Sequence, residues 1–309
     1  MEAIALDATP RRLGRSDLFA FPIAWGCWRF AGTDVAAATR KIEAALDVGI
    51  NLFDHADIYG GSGAAEELFG RVLAASPSLR PRLLVATKCG IIPGVPYDSS
   101  RDHIRRSAEA SLRRLHVDVI DIFQIHRPDL LAHPEDVAAA LSALRDAGKI
   151  REVGVSNFTP ARFAALQAHL PFPIVTSQPE LSPLFPAPFD DGTLDQCMQH
   201  RVTPLAWSPM AGGRLGLSLD EARALTKTDT SASRLVDTII LLDELAAREG
   251  VDRSAIVLAF LLAHPSGVIP ILGTQREERI RTSVRALGVK LTRADWYRIF
   301  EAGLGARLP

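Results

Sequence analysis

Residues 50–60 read Ile-Asn-Leu-Phe-Asp-His-Ala-Asp-Ile-Tyr-Gly, and the first five of them decide the fold class. The run 50–54 is short, largely apolar and ends on a carboxylate, the profile of a buried strand with a polar tip. Directly before it, 34–49 opens on Asp34, closes on Gly49 and carries apolar residues at helical spacing. A helix feeding a short buried strand is half of a repeating α/β unit, and the unit recurs in both directions. Further strands are expected at 23–26, 83–88, 119–126, 152–156, 174–178, 202–208 and 268–273. Between them, 102–115 places Ile104, Ala108 and Leu112 on one helical face. The segment 133–149 has Pro134 in its first turn, with Glu135 and Asp136 at the positive end of the helix dipole. The segment 159–170 begins with a capping threonine and then proline.

Strict alternation of strand and helix predicts a parallel sheet covered by helices. Eight strands in roughly 250 residues fit a closed (β/α)8 barrel. The rival is an open doubly wound sheet, whose phosphate loop reads G-x-G-x-x-G after the first strand. Gly60-Gly61-Ser62-Gly63 is the nearest approach here and lacks the third glycine. No low-complexity or Pro/Gly-rich linker divides the chain, so 1–309 is expected to form one barrel domain. The stretch 209–233, with Gly212, Gly213, Gly216 and the polar run KTDTSAS, is expected to be a long βα loop on the functional face.

Composition narrows the function classes. Lys plus Arg number 35 against 36 Asp plus Glu, a formal net charge of -1, which gives no electrostatic case for nucleic acid or an anionic membrane. The first residues show no charged stretch leading into an apolar core, and no run of about 18 apolar residues suggests a membrane span. Cys27, Cys89 and Cys197 are far apart and form no C-x-x-C pair, so neither a disulfide framework nor structural zinc is expected. These features together predict a reduced, cytoplasmic setting.

In a barrel, the polar residues at the C-terminal ends of strands meet at the active site. Read that way, the chain supplies Asp54, Lys88, His126, Ser156, Asn157, Gln178, Trp207, Ser208, Gly273 and Thr274, nearly all after apolar runs. Burying such groups without partners costs several kcal/mol each, roughly, so their recurrence is informative. Tyr59 lies five residues after Asp54. A phenol titrates near about 10 and is a poor acid at neutral pH unless a cation stabilises phenolate. Lys88 has the chemistry to be that cation, Asp54 to hold it, and a neutral His126 to donate a hydrogen bond to a carbonyl oxygen.

The chain resembles the aldo-keto reductase superfamily from residue 23 to its end. The matching pieces are GCW at 26–28, FDHADIYGG at 53–61, ATKCG at 86–90, IHRPD at 125–129, GVSNF at 154–158, SQPELSP at 177–183, AWSP at 206–209 and GT-Q-R-x-x-R at 273–279. Each is weak alone; in this order and spacing they are specific. The resemblance implies a catalytic tetrad of Asp54, Tyr59, Lys88 and His126, with Tyr59 protonating the carbonyl oxygen while NADPH delivers hydride to the carbon. It implies that Ser156, Asn157 and Gln178 hold the nicotinamide carboxamide and that Trp207 stacks on the ring. Gly26, Cys27, Ser208, Met210, Gly212, Gly213, Arg214, Gly273, Thr274, Gln275 and Ser283 complete the expected NADPH/NADP+ contacts, and Trp28 joins Tyr59 and His126 in the substrate pocket. Arg279 matches the family's phosphate-binding arginine, and with Arg276 at a helix start over 277–287 it favours NADPH over NADH. The chain departs from the pattern where Gly273 and Ser283 replace a lysine and an asparagine, and where His55 and Cys27 replace threonines.

The implied activity is reduction of a small aldehyde or ketone to an alcohol, without metal. A metal-dependent barrel hydrolase is the enzymatic rival, since Asp54, His55, Asp57 and His126 are all ligand types. It lacks H-x-H or H-E-x-x-H spacing, and Asp54 and His55 adjoin on opposite strand faces. The rival from another class is a non-catalytic NADPH-sensing or interaction subunit on the same fold.

Overall fold

The structure is a computed structural model that describes residues 2–226 and 233–309. An antiparallel hairpin, β1 (Arg11–Arg12) and β2 (Phe19–Ala20), precedes the repeating units. The units run β3 (Ala24–Gly26), α1 (Val35–Leu46), β4 (Leu52–Asp54), α2 (Ala64–Ala75), β5 (Leu84–Cys89), α3 (Arg101–Leu115), β6 (Ile120–Ile125) and α4 (Pro134–Asp146). They continue through β7 (Ile150–Ser156), α5 (Pro160–Gln167), β8 (Thr176–Gln178), α6 (Thr193–His200) and β9 (Thr203–Ala206). Last come α7 (Leu219–Thr226), α8 (Ser233–Glu249), α9 (Arg253–Leu262), β10 (Ile269–Leu272), α10 (Glu277–Thr282) and α11 (Arg293–Leu304).

Strands β3 to β10 are the eight expected from the sequence, and they close into a barrel in chain order, with β10 pairing in parallel to both β9 and β3. Asp34 and Thr159 cap their helices through the side chain as read, and proline stands at the first turn of α4 and α5; Ser100, His133 and Asp252 cap theirs in the same way. The barrel interior is filled by Ala24, Leu52, Ala86, Ile122, Leu205, Ile269 and Ile271.

The floor of the barrel comes from the hairpin, which the sequence pattern did not announce. Leu13, Leu18 and Ala20 pack into that interior cluster, and the Gly14 N–H donates to Thr203 Oγ1 at the start of β9. Gly14 has φ +55°, and a Cβ there would stand 2.7 Å from the Val175 Cα and carbonyl oxygen. Only glycine allows the plug to approach that closely.

The stretch 209–233 departs from the expected long loop. Residues Ala211–Gly216 form a 3-10 turn with positive φ at Gly212 and Gly213, and α7 follows. The cause is local. Ser218 and Glu221 form a reciprocal cap, in which the Ser218 N–H and Oγ both donate to Glu221 Oε2 at 2.7 Å and the Glu221 N–H returns to Ser218 Oγ. Arg253 then ties the turn down by donating to the carbonyls of Leu215 and Leu217. Residues 227–232, part of the polar run, lie outside the described residues. Similarly, the expected helix over 277–287 is α10 followed by a 3-10 turn, Ser283–Gly288.

Candidate active site

Parallel closure brings the C-terminal ends of all eight strands to one mouth, where the expected tetrad assembles. Lys88, at the end of β5, is fully buried. Its Nζ donates to Asp54 Oδ2 at 2.7 Å, to the His55 carbonyl at 2.7 Å and to the Tyr59 hydroxyl at 3.3 Å. Three donors thus meet three oxygens, which is full satisfaction for an ammonium. The Tyr59 ring lies edge-on to the His126 ring at 5.9 Å between centroids. Of the His126 nitrogens, Nδ1 is buried with no partner among the described residues, whereas Nε2 is not so enclosed.

The electrostatics give each group a definite proton inventory. Burial opposes the charged form of Lys88, but Asp54 and Tyr59 outweigh it and the net shift is upward, so the ammonium is permanent near neutrality. Burial raises the Tyr59 phenol more than the Lys88 charge lowers it, so Tyr59 is held protonated. The sequence had suggested Lys88 as an acidifying cation; its pull is present, yet desolvation is larger. Burial first, and the charges of Lys88 and Arg127 next, lower His126 to about 2, leaving a neutral imidazole.

Around the tetrad a second set is chained together. Ser156 Oγ donates to the Gln178 carbonyl at 2.9 Å. Asn157 Nδ2 donates to Ser156 Oγ at 2.8 Å and to the His126 carbonyl at 3.1 Å. Trp207 Nε1 donates to Asn157 Oδ1 at 2.9 Å. Gln178 Nε2 donates to Asp54 Oδ1 at 2.9 Å, a link between the two sets that the linear pattern did not disclose. One of its two amide N–H groups is committed to Asp54, which leaves Gln178 the second N–H and the acceptor Oε1 for anything further.

The remaining expected residues divide by placement. Gln275 Nε2 donates to the Gly26 carbonyl, and the Thr274 carbonyl accepts from Trp25 Nε1, so the last strand end is pinned to the first. Gly212, Gly213 and Gly273 face open space, with no atom within 4 Å of where a Cβ would stand. Met210 packs partly into the core, and Ser208 sits at φ +52°. Arg214 and Arg279 are exposed, and neither guanidinium has a partner among the described residues. Cys27 and Ser283 are buried, the latter donating its hydroxyl to the Ile280 carbonyl. Trp28 is 60% exposed, with the Arg29 guanidinium 4.8 Å from its ring. His55, by contrast, packs its ring on Phe69 and Phe30, away from the Asp54 carboxylate that Lys88 and Gln178 occupy. Among the described residues no three His, Cys, Asp or Glu side chains are grouped to hold a metal ion, and no helix is long and apolar enough to cross a membrane.

Two charged residues at this mouth were quoted within motifs but given no role. Arg127 follows His126, and Glu180 follows Gln178 by two. A charge placed immediately after a tetrad residue at a strand end was the available signal.

The aldo/keto reductase family model matches residues 22–303. A 6-dehydroglucose reductase of Novosphingobium aromaticivorans is 46% identical over 316 aligned positions, covering 100% of both chains. A second 6-dehydroglucose reductase, from Agrobacterium fabrum, is 39% identical over 92% of this chain and 94% of its own. A crystal structure of the thermostable aldo-keto reductase Tm1743 with the inhibitor epalrestat superposes with a TM-score of 0.79 at 26% identity, covering 95% of this chain and 99% of that one. With a family match over nearly the whole barrel and the strand-end residues at its mouth, the chain belongs to the aldo/keto reductase family.

Proposed function

We propose that this chain reduces the aldehyde group of a small sugar-type substrate to an alcohol with NADPH, Tyr59 acting as proton donor. The observation that carries the reading is Lys88 Nζ, bonded at once to the Asp54 carboxylate and the Tyr59 hydroxyl in a fully buried position. The names of the two reductase relatives support the sugar aldehyde as substrate class.

The residues fit the nicotinamide end of the cofactor. Gln178 Oε1 is a free acceptor suited to a carboxamide N–H, and Trp207 is fixed by Asn157 as a flat platform beside it. The open backbone at Gly212, Gly213 and Gly273 leaves room for a phosphate-bearing chain, and Arg279 has no competing partner for a 2′-phosphate among the described residues. When bound, NADPH supplies the hydride.

The chain's own residues do the rest. His126, neutral, donates from Nε2 to the carbonyl oxygen and sets its direction. As the carbonyl carbon gains hydride, its π pair moves to oxygen, and Tyr59 gives its proton there. The phenolate left behind sits 3.3 Å from the Lys88 ammonium, which stabilises it until water returns a proton. Asp54 keeps Lys88 charged and aimed.

Tyr59→Phe removes only the donor oxygen. We expect kcat for aldehyde reduction to fall by about 10²-fold or more, while NADPH affinity by fluorescence titration stays within a factor of two or so. A variant with normal turnover removes Tyr59 as the acid. A wild-type protein that binds NADPH yet reduces no aldehyde returns the chain to the sensing-subunit reading.

A further inference from the structure

Arg127 and Glu180 stand at the mouth beside the reacting groups; the Arg127 charge helps keep His126 neutral, but neither side chain has a bonding role in the chemistry above. The Arg127 guanidinium lies 5.4 Å from the centroid of the Trp207 ring. Glu180 pairs its backbone with Trp207 in an isolated parallel bridge. Arg127 and Glu180 therefore each neighbour Trp207, just past the ends of β6, β8 and β9. Both charged residues are half-buried, and neither side chain makes a hydrogen bond or ion pair among the described residues. They nevertheless feel each other. Burial raises the Glu180 carboxyl, and the Arg127 charge draws it part of the way back.

Arg127 and Glu180 carry opposite charges at one mouth, yet no salt bridge joins them among the described residues. Arg127 rests on the indole instead, so a donor and an acceptor both remain open beside the platform proposed for the nicotinamide. Half-buried charges without partners are costly unless a ligand supplies them. An anionic ligand suits Arg127 alone and is repelled by Glu180. An apolar aldehyde satisfies neither. Neighbouring hydroxyls satisfy both, because each can accept from a guanidinium and donate to a carboxylate.

We propose that Arg127 and Glu180 are specificity-determining residues that read adjacent hydroxyls of an uncharged polyhydroxy aldehyde and discriminate against its phosphorylated counterpart. The proposal rests on the reductase reading above and names the substrate class of that site.

The test uses three aldehydes with the full chain and NADPH: glyceraldehyde, glyceraldehyde 3-phosphate and 4-nitrobenzaldehyde. The wild type is expected to prefer glyceraldehyde to its phosphate in kcat/KM by about tenfold or more. Arg127→Met, which retains an apolar stem over Trp207, should lose about tenfold or more on glyceraldehyde and less than about threefold on 4-nitrobenzaldehyde. Glu180→Gln should lose glyceraldehyde and gain the phosphate, so that their ratio narrows or inverts. Parallel losses on glyceraldehyde and 4-nitrobenzaldehyde in Arg127→Met would show a mere brace for Trp207 and overturn the proposal. So would an unchanged glyceraldehyde-to-phosphate ratio in Glu180→Gln. A wild type that oxidises NADPH with none of the three sinks the reductase reading itself, and this inference with it, which is a different pattern from either variant result.

Discussion

At the scale of single residues, Asp57 shows how the site is coupled to stability. It lies in the short loop between Asp54 and Tyr59, and its N–H donates to the Lys88 carbonyl at 3.0 Å. Its Oδ1 is buried with no partner among the described residues. Burial, then the nearby Glu66, push its carboxyl up to about 7, against the opposing pull of Arg114, Ser107 and Lys88. An unfolded aspartate titrates near about 3.9, so between those values the native state holds a proton that the unfolded state has released. Stability from this group is therefore complete below about pH 4 and is lost as pH rises through about 7. The slope it contributes is at most about 1.4 kcal/mol per pH unit. Asp57→Asn should flatten that part of the profile, which urea midpoints measured from pH 4 to 8 on both proteins would show. An identical slope in the two would mean that another group is titrating. That Asp54, Tyr59, Lys88 and His126 would come together was legible in polar strand ends and a loop tyrosine, but their proton states were not. Desolvation of Tyr59, His126 and Asp57 depends on what packs over them, and no linear pattern records that.

At the scale of elements, α2 and α3 pack so closely that a helix rule is reversed. Gly70 lies inside α2, where alanine is ordinarily better by about 1 kcal/mol. A Cβ at Gly70 would stand 2.0 Å from the Arg114 carbonyl oxygen and 2.8 Å from the Leu115 carbonyl carbon, both backbone atoms that cannot swing aside. The overlap wins, because forcing backbone apart in a packed interface costs about 1–3 kcal/mol or more. Gly70→Ala should thus destabilise the fold in a denaturant titration, and a rise in midpoint would overturn the argument. The same interface holds Glu66 of α2, fully buried, against Arg114 of α3 at 2.7 Å, with Thr87 of β5 donating to its other oxygen at 2.5 Å. Helix starts were readable because capping is a contact within four residues, as at Asp34 and Thr159. The same rule, applied to Ser218-Leu219-Asp220-Glu221, would have found α7 within the stretch read as loop. Gly70 is a different case, since the atom that excludes a side chain there belongs to another helix.

At the scale of the whole molecule, the barrel gathers the strand ends from Gly26 to Leu272 onto one rim, and the cofactor is proposed to run from Gln178 to Arg279. A ligand that binds only the folded chain stabilises it by about 2.7 kcal/mol at a hundred times its Kd. Saturating NADPH should therefore raise the melting temperature by several degrees, roughly, and NADH at equal concentration by less. Arg279→Ala should erase that difference; if both cofactors lose equally, the 2′-phosphate assignment fails. What the sequence by itself determined is the alternation of eight strands with helices, and a polar residue at or just after nearly every strand end. Both are periodic or local, set by burial along a short segment and by the backbone's own hydrogen-bonding rules. Only the tertiary structure decided that a hairpin with Leu13 and Leu18 stops the floor, that Gln178 hands an amide N–H to Asp54, and that Arg127 lies over Trp207 while Glu180 bridges to the backbone of that same residue. Those contacts join residues tens to more than a hundred positions apart. Their partners are fixed by barrel closure, and no stretch of chain carries the distance between its own ends.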